Sequence, residues 1–185
     1  MGQLDEKIRS KRAKVAIIGL GYVGLPLAVG FAQKGFEVTG IDSDRKRVAQ
    51  IQKGRSYILD IRSQNLKECV RKRRLRATTS YQAIRNIDVI SICVPTPLRK
   101  TKDPDLSFIV SAINGILPYV HPGQLIILES TTYPGTTEEV ILPLLQKNGR
   151  KVGKDFYLAF SPERVARSRR RLRQFFRSCD RISKM

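Results

Sequence analysis

Apolar and polar positions along this chain switch repeatedly between two periods. Val15–Ile18 is a short run rich in β-branched residues, and a glycine turn follows it. A helical apolar pattern then runs from near Tyr22 through Ala32 and ends at Lys34-Gly35, a cation and a C-cap glycine. Glu37–Ile41 reads as a second strand and Asp44–Gln52 as a short helix. Leu66, Cys69, Val70 and Leu75 mark a further helix and its exit. Asp88–Val94 is a buried strand stopped by Pro95 and Pro97. Leu106–Leu117 keeps helical spacing, and His121-Pro122-Gly123 turns the chain. Leu125–Leu128 is a strand, Thr136–Leu145 a helix and Phe156–Phe160 a last strand. Strands alternating with helices call for right-handed crossovers, so the pattern predicts an α/β domain with a doubly wound parallel sheet. The predicted boundaries are a polar segment over 1–13, the domain over 14–165, and a tail over 166–185.

One stretch resembles a membrane span. Residues 15–32 carry no charge and reach spanning length. Gly19, Gly21, Gly24, Gly30 and Pro26 divide it into strand, turn and buried helix, and no second such stretch exists, so no membrane association is expected. The opening residues MGQLDEKIRSKR hold no apolar signal core. The Met-Gly start lacks the Ser or Thr that a myristoylation signal wants at position 6, where Glu6 stands. A cytoplasmic location is the default expectation. Cys69, Cys93 and Cys179 are odd in number and have no CxxC spacing, so neither a disulfide framework nor a zinc ribbon is indicated. With His121 as the one histidine, a multi-His metal site or a Ser-His-Asp triad has almost no raw material, and no metal is expected.

Charge changes the picture. Lys and Arg total 35 against 16 Asp and Glu, a formal net charge of +19. The last 20 residues hold seven Arg and Lys184 against Asp180 alone, over a third of the net charge. Together with Arg71-Lys72-Arg73-Arg74 and Arg76, this composition favours non-specific adhesion to phosphate backbones. No helix-turn-helix, zinc finger or RNA-recognition signature accompanies it, and Phe175-Phe176 is a single aromatic pair, so no specific nucleic-acid partner is expected.

Gly19-Leu20-Gly21-Tyr22-Val23-Gly24 is GxGxxG, placed after a predicted strand and opening a predicted helix. Gly19 permits the tight turn, Gly21 lets backbone approach a pyrophosphate, and Gly24 lets helix pack on strand. The helix start presents N–H groups and its positive dipole end to phosphate. Pro26 lies near the first turn, where a missing N–H costs little. Asp42 ends the second strand, 18 residues past Gly24, and suits a bond to ribose hydroxyls. A carboxylate there repels a 2′-phosphate, which predicts NAD rather than NADP in a Rossmann-type fold. Arg45, Lys46 and Arg47 follow; two of the three read as a solvated first helical turn.

From these residues the chain resembles the UDP-glucose/GDP-mannose dehydrogenase family, most closely its UDP-N-acetylglucosamine 6-dehydrogenase branch. The resemblance is carried by GLGYVGLPLA (19–28), SYILDI (56–61), LRATT (75–79), CVPTPL (93–98), DPDLSFI (103–109), LESTTYPGTTEEVILPLL (128–145) and AFSPERV (159–165). These motifs match only that family's N-terminal, cofactor-binding domain. The resemblance implies oxidation of a sugar C6 hydroxyl to a carboxylate with two NAD reduced, through a cysteine thioester. It implies Val23, with Tyr22, at the cofactor diphosphate, Asp42 at the ribose and Arg47 beside the adenosine. Thr96 lies past a strand's carboxyl end, where open α/β sheets place ligands, with Val94 and Pro95 leading to it as further cofactor-binding residues, and Ser130 and Thr131 hold the same position on the next strand. Thr131 matches a threonine near nicotinamide that positions water, and Glu163 a glutamate of acid–base work. Read without the family, Thr131 is a strand-end residue or helix cap and Glu163 a turn residue or ion-pair partner; Glu129 reads as structural.

The family's nucleophilic cysteine, with its catalytic lysine, asparagine and aspartate, belongs to a later domain. None of Cys69, Cys93 and Cys179 matches the nucleophile; Cys93 reads as a small core residue of the Asp88–Val94 strand. The UDP-sugar substrate is therefore a partner of the full-length enzyme only, and the family's homo-oligomer contacts lie beyond Met185. After SPERV the sequence turns to Arg and Ser where the family resumes with Pro-Gly, which leads to the expectation of a reading-frame shift over 166–185. A natural short form and a basic appendage stand as alternatives for the tail; UDP-glucose or UDP-N-acetylmannosamine as the family substrate, and a non-catalytic nucleotide-binding subunit, stand as alternatives for the function.

Overall fold

The structure is a computed structural model that describes residues 2–99, 104–130, 132–133 and 135–161, with Asn148 described by its backbone. The tail over 166–185 and Cys179 lie outside the described residues.

Six strands form one parallel sheet: β1 Lys14–Ile18, β2 Glu37–Ile41, β3 Leu75–Thr78, β4 Val89–Ile92, β5 Gln124–Leu128 and β6 Phe156–Phe160. Their order is β3-β2-β1-β4-β5-β6. All five pairings are parallel, with Ile18 opposite Ile41 on one side and Ile92 on the other. The order reverses between β1 and β4, the topological switch point of a doubly wound sheet, where a crevice opens outside the carboxyl ends of the strands.

Successive residues of a strand face opposite sides, so the apolar runs feed two cores. Val15, Ile17 and Val38 enter one, with Leu25 and Phe31 of α2 (Gly24–Gln33) and Leu66 of α4 (Ser63–Arg71); α3 (Arg45–Gln52) adds Val48 and Ile51. Ala16, Ile18, Ile90 and Ile126 enter the other, with Ile109 and Ile113 of α5 (Ser107–Ile116). Burial on both faces explains why Val15–Ile18 reads as an unbroken apolar run and β4 as one interrupted only by the buried Ser91.

Four features depart from the periodicity. Leu75–Thr78, expected only as a helix exit, is the edge strand β3. The polar opening segment folds into α1 (Gly2–Arg9), which lays Leu4 and Ile8 on the first core; its Lys7 Nζ reaches Asp88 Oδ1 at 2.7 Å. Tyr81–Asn86 forms a short 3₁₀ turn. The helix expected over Thr136–Leu145 begins as a π-helix, Thr136–Ile141, and continues as α6 (Leu142–Leu145), with Pro143 in its first turn. The charge-free run 15–32 is divided as expected into β1, turn and α2, and no helix among the described residues is long and apolar enough to cross a membrane.

Candidate functional site

The glycine turn sits at the carboxyl end of β1, beside the switch point. Gly19 has φ +87°, and a Cβ on it would lie 2.8 Å from the Cys93 carbonyl oxygen and 3.2 Å from Val94 Cα. Only glycine lets the chain leave β1 this close to the chain leaving β4. Gly24 is needed more severely. Its Cβ would fall 1.8 Å from the Gly19 oxygen and 3.1 Å from Ile17 Cγ2, so α2 rests directly on the backbone of the turn. The helix starts two residues later than the sequence pattern suggests, with Val23 at its cap and no side chain bonding the cap. Leu25 N–H reaches the Gly21 carbonyl at 3.1 Å.

Gly21 differs from both. Its φ is not positive, and a Cβ on it would meet nothing within 4 Å. The fold itself places no demand for glycine there. The open space above Gly21 lies next to the amino end of α2, where backbone N–H groups and the helix dipole attract anions. That is a cradle a methyl group would partly fill, and its chemistry fits a diphosphate. Tyr22 stands at its rim, 81% exposed.

Asp42 directly follows β2 and is 6% exposed. Its Oδ2 accepts from Leu20 N–H at 2.7 Å and its Oδ1 from Asp44 N–H at 2.9 Å. The Arg47 guanidinium, projecting from α3, lies 3.5 Å from Asp42 Oδ2 and 3.6 Å from Asp44 Oδ2. Asp44 caps α3 by accepting from Lys46 N–H and Arg47 N–H. Arg45 and Lys46 are exposed, as expected for a solvated turn. A carboxylate held this firmly keeps lone pairs for sugar hydroxyls and repels an added phosphate.

On the other side of the crevice, Val94 and Thr96 are half-buried and Pro95 is exposed. Ser130 is buried, and its hydroxyl donates to the Val94 carbonyl at 2.7 Å. The segments leaving β4 and β5 are thus stitched together next to Gly19. Gly19, Gly21, Tyr22, Val23, Gly24, Asp42 and Arg47 gather at one end of the sheet, with Val94 and Ser130 adjoining through Gly19. Thr131 and Glu163 lie outside the described residues.

Three features of the site escape sequence reasoning. Tyr57, between α3 and α4, donates its hydroxyl to the Leu20 carbonyl at 2.5 Å. Burial and the Asp42 carboxylate hold that phenol well above its ordinary range, so it stays a donor. Leu20 packs over Gly40, whose Cβ would meet Leu20 Cδ2 at 2.7 Å. Glu129 Oε2 accepts from Ser91 at 2.7 Å and lies 3.8 Å from Cys93 Sγ, bridging β4 and the end of β5. Cys93 is buried as expected, one residue past the end of its strand. Only the presence of SYILDI in the chain hinted at Tyr57; the other two are contacts between distant segments. His121 Nε2 lies 3.0 Å from the Ile87 carbonyl oxygen. Among the described residues no three His, Cys, Asp or Glu side chains gather as a metal-binding set.

A β-strand, glycine turn and helix at the switch point, with an acid ending the adjacent strand, define a dinucleotide-binding Rossmann domain. Residues 13–181 match the family described as UDP-glucose/GDP-mannose dehydrogenase family, NAD binding domain, and the chain belongs to that family. It is 40% identical over 156 residues to the UDP-N-acetyl-D-glucosamine 6-dehydrogenase of Pseudomonas aeruginosa, covering 84% of this chain and 36% of that protein. It is 39% identical over 153 residues to the UDP-N-acetyl-D-mannosamine dehydrogenase of Pyrococcus horikoshii, covering 82% of this chain and 36% of that protein. A ternary complex of GDP-mannose dehydrogenase from Pseudomonas aeruginosa superposes with TM-score 0.79 at 31% identity, covering 87% of this chain and 38% of that one. The chain spans about a third of the length of the curated relatives it matches. Its cofactor is NAD.

Proposed function

We propose that this chain supplies the NAD-binding part of a UDP-sugar dehydrogenase that oxidises UDP-N-acetylglucosamine at C6 to the uronic acid, with two NAD reduced per sugar. The observation that carries the reading is the open cradle over Gly21, set between the amino end of α2 and the Asp42 carboxylate. NAD supplies the hydride acceptor. Gly21, Tyr22, Val23 and Gly24 hold the diphosphate through backbone N–H groups and the α2 dipole. Asp42 binds the adenosine ribose and Arg47 flanks the adenosine. Val94, Pro95, Thr96 and Ser130 line the nicotinamide end, Thr131 positions water there, and Glu163 serves as acid–base group. UDP-N-acetylmannosamine is the second reading, favoured by 39% identity to the Pyrococcus horikoshii enzyme of that name.

Neither Cys69 nor Cys93 suits a nucleophile: both are buried, and burial raises the Cys69 thiol further. These 185 residues, tested alone, then bind NAD without turning over a UDP-sugar. Titration of purified chain with NADH, followed by cofactor fluorescence, shows saturable binding. NADPH competes more weakly, and a mixture of NAD and UDP-N-acetylglucosamine accumulates no NADH. Residues 13–165, exchanged into the Pseudomonas aeruginosa relative, support NAD reduction. A chain that fails to bind NADH, or that binds NADPH more tightly, refutes the reading.

A further inference from the structure

We infer that Tyr57 is a positioning residue for the dinucleotide, gripping the Leu20 carbonyl so that the Gly21 N–H is aimed into the cradle at the diphosphate. The inference deepens the NAD-binding reading and rests on it.

Leu20 is held at three points. Its N–H donates to Asp42 Oδ2 at 2.7 Å, its carbonyl accepts from Tyr57 Oη at 2.5 Å, and its side chain is fully buried over Gly40. The bond that follows is a planar trans peptide, in which the carbonyl of one residue and the N–H of the next point in opposite directions. Holding the Leu20 oxygen therefore fixes the direction of the Gly21 N–H. Gly21 itself is held at its carbonyl by Leu25 N–H, at 3.1 Å, while the space a Cβ would take is open, with nothing within 4 Å. A glycine flanked by open space has wide conformational freedom, and a pre-aimed donor avoids that ordering cost on binding.

The grip is tied to the ribose side of the site. The Arg47 guanidinium lies 6.0 Å from the Tyr57 ring centroid and 3.5 Å from Asp42 Oδ2. Tyr57 comes from the α3–α4 connection, so the turn is braced by a segment outside the β1–α2 unit. The phenol keeps its proton at neutral pH, so the donor is always present.

The test is a Y57F variant of the full chain, titrated with three ligands: NADH, ADP-ribose and adenosine. NADH and ADP-ribose carry the diphosphate; adenosine meets only the Asp42–Arg47 side. Loss of one hydrogen bond's worth of positioning weakens NADH and ADP-ribose by roughly 5- to 10-fold. Adenosine binding, read by ligand-observed NMR, stays within about twofold, since no positioning bond bears on it. The ratio between ligands does not depend on the folded fraction, so simple destabilisation leaves it unmoved. Equal losses for all three ligands, or no loss for any, overturn the role of Tyr57 while leaving NAD binding intact. Wild-type chain that binds neither NADH nor ADP-ribose overturns the NAD reading itself. Should Y57F not fold, Y57M keeps apolar bulk without a donor; if neither folds, Tyr57 is a stability residue and the inference fails.

Discussion

Gly21→Ala separates what the fold needs from what the ligand needs. Gly19 and Gly24 are enforced by neighbouring backbone, whereas a methyl on Gly21 meets nothing within 4 Å and the φ there is not positive. The variant therefore folds. Removing glycine's freedom from the unfolded chain stabilises a compatible site by about 0.4–1 kcal/mol. For a chain of this length that raises Tm by about 1–4 °C. The methyl instead occupies the space a diphosphate would take, and it holds phosphate oxygens away from the turn's N–H groups. A hydrogen bond to a charged group is worth about 1.5–3 kcal/mol, so NADH affinity falls about 10- to 150-fold. Thermal melting followed by circular dichroism, beside an NADH fluorescence titration, reads both quantities. A G21A chain that binds NADH as well as wild type refutes the cradle. One that melts more than about 3 °C below wild type refutes the claim that the fold is indifferent to position 21.

Gly24→Ala fails differently: its methyl meets the Gly19 oxygen, α2 must retreat, and the loss is about 3 kcal/mol or more, a fall in Tm of at least about 6 °C. In D42N one of two backbone N–H groups must face an amide NH2, because both Asp42 oxygens already accept from backbone. Stability drops by about 1–3 kcal/mol, and the NADH-over-NADPH preference narrows as the repelling charge disappears. Folding raises the Tyr57 proton affinity above the ordinary phenol value, so the contribution of Tyr57 is complete below about pH 10 and is lost as pH rises beyond it. The Tm difference between wild type and Y57F accordingly shrinks above that pH, and a constant difference contradicts the assignment. Cys69, buried and with its thiol raised, reacts with a thiol reagent at neutral pH only as fast as the chain opens.

The elements legible in the chain were those with a strong apolar signal or a sharp stop. β1, β2, β4 and β5 each carry four or five consecutive buried residues, and β6 is a continuous apolar run, Phe156–Phe160, anchored by the buried Phe156. β3 is short and lies at the sheet edge, with Leu75 and Ala77 buried and Arg76 exposed between them, too brief a pattern to separate from a helix exit. α1 is polar overall and becomes a helix partly through two residues, Leu4 and Ile8, laid on a core built by distant segments. The π-helical turn at Thr136–Ile141 keeps a near-helical apolar spacing, which the sequence pattern could not tell from an α-helix.

By itself, the sequence determined the alternation of elements, the phosphate turn and the acid 18 residues beyond it, because these depend on local spacing and on residues with distinct backbone behaviour. Tertiary structure alone decided which glycine serves the fold and which leaves room. Gly24 meets the Gly19 oxygen and Gly21 meets nothing, though GxGxxG presents them alike. It also decided that Gly40 and Asp42, at the end of β2, and Tyr57, from the α3–α4 connection, converge on Leu20. Contacts between residues 20 to 40 positions apart arise only when the sheet order brings strand ends together, and no local period along the chain records that geometry.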